Sequence, residues 1–375
     1  MSSNLPNLPK LSFDWPFAYG GPGSLFQFKS QLEDFVVEES LGFELTGEGE
    51  HLCLWLEKRG LNTQYIAEQL SQFITTRLLN IGYSGLKDRH GVTSQWFSIP
   101  VKIGAEFDEV GFCQRINEKN PQEQISILLQ KRHQKKIRRG VHRANRFQIR
   151  LRSLSYDGRD SEEGKCKIDL QLEKIQQCGF PNYFGEQRFG RDNQNVSRGL
   201  EWLNSGTASK LKPAKRGIYL SAIRSYLFNQ VLAKRVVNGS WCKILPAETI
   251  MLDGSHSVFQ AEESELETLQ NRLQDKDIHP TGPLFGGIND RDNDNAGDSV
   301  SEESELSQLE YSISEPFIDS FRQGVMQQMK PARRSLRAVP EAMQWSWEGA
   351  DLVLTFSLPS GSYATALIRE LGSYL

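Results

Sequence analysis

The stretch Gly85–Thr93, GLKDRHGVT, sets one acid, Asp88, among Lys87, Arg89 and His90. Glycines flank it as a tight turn requires, and an aromatic, strand-like run, Trp96-Phe97-Ser98-Ile99, follows. Cations on both sides are expected to keep Asp88 ionised at neutral pH. An ionised carboxylate held in a turn can serve as nucleophile, base or metal ligand. A metal ligand needs partners, and only His90 is near. A general acid needs a raised pKa, and these neighbours push the other way. A nucleophile or base fits best. An aspartate that merely closes its own turn by side-chain to backbone hydrogen bonds fits the composition equally well.

A second stretch, Lys131–Arg152, reads KRHQKKIRRGVHRANRFQIRLR and contains no acid. Its end alternates. Phe147, Ile149 and Leu151 would face a core, and Arg146, Gln148, Arg150 and Arg152 the other side. A solvated basic edge strand that resists aggregation is the plainer reading. The density of cations favours a phosphate-binding face for nucleic acid, with Arg146, Arg150 and Arg152 on it.

Whole-chain numbers conceal this face. The 375 residues carry a net charge of −3, with a pI near 6.2. The compensating acids gather at Asn289–Glu305, NDRDNDNAGDSVSEESE. Asp290, Asp292 and Asp294 imitate the start of a calcium loop. Asn295 stands where that loop needs Gly, and the closing Glu is missing, so a mobile acidic loop is the reading. The length suggests two domains. Mean hydropathy is −0.50, and no apolar window is long enough for a membrane span. The N-terminus, MSSNLPNLPK, does not read as a secretory signal. Five scattered cysteines without a CxxC pair support neither a disulfide framework nor a zinc ribbon. A cytoplasmic protein is expected. P-loop, dinucleotide and GxSxG signatures are absent.

The elements that must position these residues can be read next. Residues 1–24 are rich in Pro and Gly and should run extended. Leu25–Glu39 carries strand signals, and Leu52, Leu54 and Leu56 alternate in His51–Glu57. Asn62 or Thr63 should cap a helix striped by Ile66, Leu70, Phe73, Ile74 and Leu78. From about Asp169 the pattern turns helical, with Leu220, Ile223, Leu227 and Val231 on one stripe. Glu262–Leu273 and Pro316–Met329 read as further helices. Strand alternation returns at Leu352, Leu354, Phe356 and Leu358, and a turn leads into a last helix, YATALIREL. Strands at both ends around a helical middle predict a split domain: one sheet built from the N-terminal part and the last forty or so residues.

GYSGLKDRHGVTSQWFSIP resembles the signature of the TruD family of tRNA pseudouridine synthases. The likeness continues in order through LEDFVVEE with GEGEHLCLWLEKRGLNT, RANRFQIRLR, PNYFGEQRFG, TGPLFG and LPSGSYATALIREL. Ala144 replaces a usual Gly, and Tyr363 a usual Phe. The resemblance implies a mixed α/β (α+β) fold: a pseudouridine-synthase catalytic domain on an antiparallel sheet, residues 1–178 and 338–375, with an inserted TruD-specific domain at 179–337. It implies conversion of uridine to pseudouridine in tRNA, in the family typically at position 13 of glutamate tRNA. No cofactor or metal is implied. The partner is tRNA, no membrane is involved, and a monomer is expected. Residue by residue, Asp88 matches the nucleophile, Lys29 a lysine near it, Phe35 an aromatic that holds the base, and Asn145 a contact to the uracil edge. Phe147 and Tyr363 match stacking positions. Taken alone, Phe35 and Phe147 also suit a core, and Lys29 a surface. A non-catalytic RNA-binding or chaperone protein on the same scaffold would share the basic face but would not need Asp88. A carboxylate-dependent hydrolase would lack its second acid.

Overall fold

The computed structural model describes residues 11–205, 211–286, 304–317 and 329–375. The acidic stretch at Asn289–Glu305 lies outside these apart from its last two residues. Ser304 caps the helix that follows, its hydroxyl accepting from Ser307 N at 3.1 Å. The helix read at Pro316–Met329 also lies outside, save its two ends.

The first part of the chain runs β1 (Ser24–Phe28), β2 (Phe35–Leu41), β3 (His51–Arg59), α1 (Thr63–Phe73), β4 (Gly82–Tyr83), β5 (Val92–Pro100), α2 (Glu109–Asn117), β6 (Gln124–His133) and β7 (His142–Tyr156). The middle holds α3 (Glu162–Cys178), β8 (Phe180–Pro181), α4 (Gln194–Asn204), α5 (Pro213–Val237), β9 (Thr249–Leu252), β10 (Val258–Gln260), α6 (Leu266–Gln274), β11 (Ile278–Leu284), α7 (Glu305–Ser314), β12 (Ala332–Ser335) and β13 (Arg337–Ala338). The last part runs β14 (Glu341–Glu348), β15 (Asp351–Pro359), α8 (Ala364–Leu371) and β16 (Gly372–Tyr374).

Two compact units result. A sheet unit takes Gly23–Asp169, Pro340–Gly361 and Gly372–Leu375. Its ten-stranded sheet has the order β14-β15-β7-β2-β5-β3-β6, with β1 and β16 joined beyond β7 and β4 beside β5. Both ends of the chain therefore contribute strands. The sheet is mixed: β2 pairs β5 and β1 pairs β16 in parallel, and the other pairs are antiparallel. Alternation places Leu52, Leu54 and Leu56 in a core with Ile66, Leu70 and Phe97. Asn62 is the α1 cap, its side chain accepting from Tyr65 N at 2.7 Å. The helix ends at Phe73, and Thr75 turns the chain at φ 52°. The predicted stripe thus does not reach Leu78, which is 43% exposed.

The helical unit comprises the described residues of Met1–Pro22 with Leu170–Val339 and Ser362–Leu371. Its core gathers Leu220, Ile223 and Leu227 of α5 with Val196 and Leu200 of α4, and Phe13 and Trp15 pack against it. Pro213 opens α5 at its first turn, where a missing N–H costs nothing. A four-stranded sheet, β10-β9-β11-β12, and the pair β13-β8 complete the unit. Tyr183, Phe184 and Phe189 of the PNYFGEQRFG block are buried in this core. The Arg188 guanidinium of the same block reaches Ser221 and Tyr363. Among the described residues no helix is long and apolar enough to cross a membrane.

Candidate active site

Asp88 sits in the turn between β4 and β5, its side chain 36% exposed. Lys29 Nζ lies 3.4 Å from its Oδ2. The same ammonium stands 3.7 Å from the centroid of the Phe35 ring, where the face of the π-system attracts a cation. Lys29 reaches this position from a left-handed backbone, φ 59°, just after β1. For a residue other than glycine such a backbone costs about 1–3 kcal/mol. The strain coincides with the lysine that pairs with Asp88.

The neighbours of Asp88 in sequence do not pair with it. Lys87 Nζ goes to Glu39 Oε2 at 2.6 Å, and Arg89 Nη2 to Glu123 Oε1 at 2.7 Å. This corrects the expectation that Lys87 and Arg89 are its counter-ions. Glu39 and Glu123 come from strands and loops far along the chain and outcompete the adjacent acid. His90 is exposed and lines a cleft with Lys29, Arg59, Arg89 and Gln122; the cleft has a volume of about 610 Å³.

β2 and β7 lay the floor beside this turn. Phe35 faces Ile149, Val37 faces Phe147, and Glu39 faces Asn145. Directly opposed residues share a face, so Phe35, Glu39, Asn145 and Phe147 line one side of the sheet. Phe35 is 2% exposed and Phe147 7%; their rings lie 6.0 Å apart, and Phe147 stacks on Phe356 at 5.4 Å. Both are core residues here, with the Phe35 ring capped by Lys29. Gly91 keeps the turn close to this floor, because a Cβ there would lie 2.5 Å from Phe35 O. The buried Oδ1 of Asn145 has no hydrogen-bond partner among the described residues, nor has Nδ1 of His142. Unpaired buried acceptors of this kind need a reason. Burial and Lys87 hold the His142 imidazole below its ordinary pKa, against an opposing pull from Glu39.

Tyr363 belongs to the helical unit. Its hydroxyl accepts from Arg188 Nη2 at 3.0 Å, and its ring stands 6.2 Å from that of Phe184. The added hydroxyl therefore has a partner.

Arg146, Arg150 and Arg152 of β7 alternate outward as predicted, but acids from other segments meet them. Arg150 pairs with Glu348 at 2.5 Å and Asp351 at 3.1 Å, and Arg152 with Asp34 at 2.7 Å. Arg146, with its side chain 67% exposed, lies 3.8 Å from Glu38. The picture of an unpaired cationic face is thus corrected for Arg150 and Arg152.

Several polar side chains behind the turn escaped the sequence reading. Lys58 is fully buried, and its Nζ donates to Asp88 O at 2.8 Å and to Leu61 O at 2.6 Å. Thr63 Oγ1 accepts from Lys87 N at 2.9 Å and donates to Gln95 Oε1 at 2.7 Å. Gln95 Nε2 donates to Gly85 O at 3.2 Å. Glu39 also accepts from Ser84 Oγ and, at 3.3 Å, from Trp96 N. A signal was present for two of them. Glu39 continues the inward positions Phe35 and Val37, and Lys58 continues Leu52, Leu54 and Leu56. A charge on the apolar side of an alternating strand marks a buried partner.

The arrangement is a firmly held turn that presents one carboxylate beside one lysine and an aromatic floor. A family model for tRNA pseudouridine synthase D (TruD) matches residues 16–199 and 204–371. The chain belongs to the TruD family. Relatives named tRNA pseudouridine synthase D include one from Psychrobacter arcticus, 39% identical over 92% of this chain and 89% of its own, and one from Haemophilus influenzae, 38% identical over 99% of both. A solved Methanosarcina mazei structure, described as a TruD-type tRNA pseudouridine synthase, superposes with a TM-score of 0.69 over 95% of each chain. At 19% identity that likeness shows the TruD fold alone. It is a mixed α/β fold, as expected.

Proposed function

We propose that the protein isomerises uridine to pseudouridine in tRNA, with Asp88 as the nucleophile and uridine 13 of glutamate tRNA as the target. Membership of the TruD family supports the reaction and the class of RNA. The observation that carries the role of Asp88 is the division of labour at its turn. Buried side chains hold the backbone, while the carboxylate is left to one lysine, Lys29, and to whatever enters. The sheet unit is the proposed catalytic body. The segment that builds most of the helical unit, residues 179–337, is the part proposed to be peculiar to the family.

The chemistry needs no redox partner. The bond between the ribose C1′ and N1 of uracil breaks, and one between C1′ and C5 forms. The hydrogen leaves C5, and N1 gains a proton. Asp88 attacks the sugar or the base of a uridine drawn out of its stack. Its carboxylate must be ionised for either route. Lys29 steadies that charge, Phe35 and Phe147 supply the apolar wall, and the unpaired Oδ1 of Asn145 suits an N–H on the uracil edge. Tyr363 is proposed to stack on the base. Arg146, largely exposed, is proposed to take the RNA backbone.

The test is to incubate the protein with unmodified tRNA and map pseudouridine at single-nucleotide resolution, for the native chain and for Asp88→Asn. The amide keeps the shape and cannot act as an anionic nucleophile. Turnover should vanish while tRNA affinity stays within a few-fold, because phosphate contacts carry most of it. Modification by Asp88→Asn above a trace would refute the assignment, and modification elsewhere in the tRNA would refute the target.

A further inference from the structure

We propose that Lys58 is a positioning residue for Asp88: by holding the peptide carbonyl of Asp88 from inside the fold, it sets the direction in which the carboxylate is presented. The inference rests on the reading of Asp88 as nucleophile and adds a residue to it.

Lys58 is the penultimate residue of β3, a strand hydrogen-bonded on both sides, with Thr93 of β5 and Ile125 of β6 as its neighbours in register. Lysines are almost never fully buried unless paired. This one is fully buried, and among the described residues no carboxylate lies within ion-pair distance of its Nζ. Two backbone carbonyls are its partners instead, Leu61 O and Asp88 O. An ammonium taken out of water costs several kcal/mol. A Met or Leu would fill the same space at no such cost, continuing Leu52, Leu54 and Leu56. Packing therefore does not account for a lysine here, whereas the carbonyl of Asp88 does. Burial pushes the Lys58 ammonium down to about 7, although the charge of Asp88 pulls the other way.

The two bonds join segments that must stay in register. Leu61 precedes the Asn62 cap of α1, and Thr63, the first residue of that helix, holds Lys87 N. Lys58 thus ties the start of α1 to Asp88 itself, while Thr63 and Gln95 hold Lys87 and Gly85. All three side chains are fully buried and all three act on backbone atoms of the turn. None competes for the carboxylate. Without Lys58, the peptide after Asp88 can rotate, and the nucleophile with it. A misplacement of about 1 Å is worth about 100-fold in rate.

The experiment compares the native chain with Lys58→Met, Lys58→Gln and Asp88→Asn. It measures the single-turnover rate at saturating protein, the tRNA dissociation constant and the thermal midpoint. Lys58→Met should lower the rate about 100-fold, leave the tRNA dissociation constant within about threefold, and hold or raise the midpoint, since a buried charge is gone. Lys58→Gln keeps a donor over a shorter reach and should recover part of the rate. A merely structural lysine predicts the opposite pattern, with a lowered midpoint and rate and binding falling together. That pattern, or an unchanged rate in Lys58→Met, overturns the proposal. So does failure of both Lys58 variants to fold, which would make Lys58 a residue of the fold. The Asp88→Asn arm separates the two readings. If it is active, the nucleophile assignment fails. If it is inactive beside a fully active Lys58→Met, the positioning role alone fails.

Discussion

The Asp88 turn and the outer face of β7 are two cation-rich regions of this chain; read along the sequence, the first offers its cations a single acid, Asp88, and the second offers none. Both are in fact paired through space. Lys87 meets Glu39 from β2, and Arg152 meets Asp34 from the segment before it. What separates the regions is water. The Lys87 and Glu39 side chains are 6% and 0% exposed, whereas Arg146 and Glu38 are 67% and 51% exposed. A pair out of water is costly to break from one side, because the remaining charge is stranded. A pair in water is worth little either way. The same run of letters therefore describes a rigid support in one place and an adjustable surface in the other.

The sharpest way to break the comparison is Glu39→Ala. It strands Lys87 and removes the acceptor for Ser84 and Trp96 N, and should cost about 3–5 kcal/mol of stability in urea unfolding. A loss below about 1 kcal/mol would put this pair in the surface class.

The buried support should also show itself in the pH dependence of stability. The folded-state pKa of Lys58, about 7, lies below its ordinary 10.5. Between these values the unfolded chain binds the extra proton, so stability should rise with pH across that window. Lys58→Met should flatten the rise in unfolding curves collected from neutral to alkaline pH. An equal rise in the variant would assign it to other groups.

On β7, Arg150→Gln should change stability by no more than about 1 kcal/mol, whereas Arg152→Gln strands the buried Asp34 and should cost more. Acids already neutralise both arginines, so neither variant should alter the salt dependence of tRNA binding. Arg146→Gln should reduce the slope of log affinity against log salt by about 0.7–0.9, the signature of one lost phosphate contact. If Arg150 and Arg152 change the slope and Arg146 does not, the acids on β7 release their arginines to RNA and the comparison reverses.

Smallest of all in its effect on the reaction should be Tyr363→Phe, which loses the hydrogen bond from Arg188 at 3.0 Å. A partly exposed bond of this kind contributes about 0.5–1.5 kcal/mol of stability, read out as a small fall in the thermal midpoint. The stacking face survives, so the rate of modification should not move.

Local physics was legible in the sequence. Asn62 as a cap, the alternation at His51–Glu57 and Leu352–Leu358, and the stripe of α5 all follow from side-chain periodicity and hold in the structure. The split sheet was legible because strand alternation returns at Leu352–Leu358 after a helical middle, while β14 was not read at all. Partner choice among charges was not. Lys87 and Arg89 adjoin Asp88 in the chain, yet the acids that reach them are set by the parallel pairing of β2 with β5 and by the loop before β6. Lys58 was passed over because its burial depends on β5 and β6 closing on both sides of β3. The resemblance to the TruD family named Asp88 and Lys29, but not the buried side chains that hold the turn.

The pairing of β7 with β15 has a consequence for how the chain is made. Ile149 lies opposite Leu354, roughly 200 residues later, so at ribosomal speeds β15 arrives about 10–40 s after β7. For that interval the edge of β7 that will receive β15 is open, a template for pairing with another nascent chain. Arg150 waits as long for Glu348 and Asp351, which are made just before and at the start of β15. Until then its charge is unpaired, and like charges on the edges of two such chains repel. Arg150 is in this sense a guard of an unfinished sheet, and it stands down when the last strands are translated.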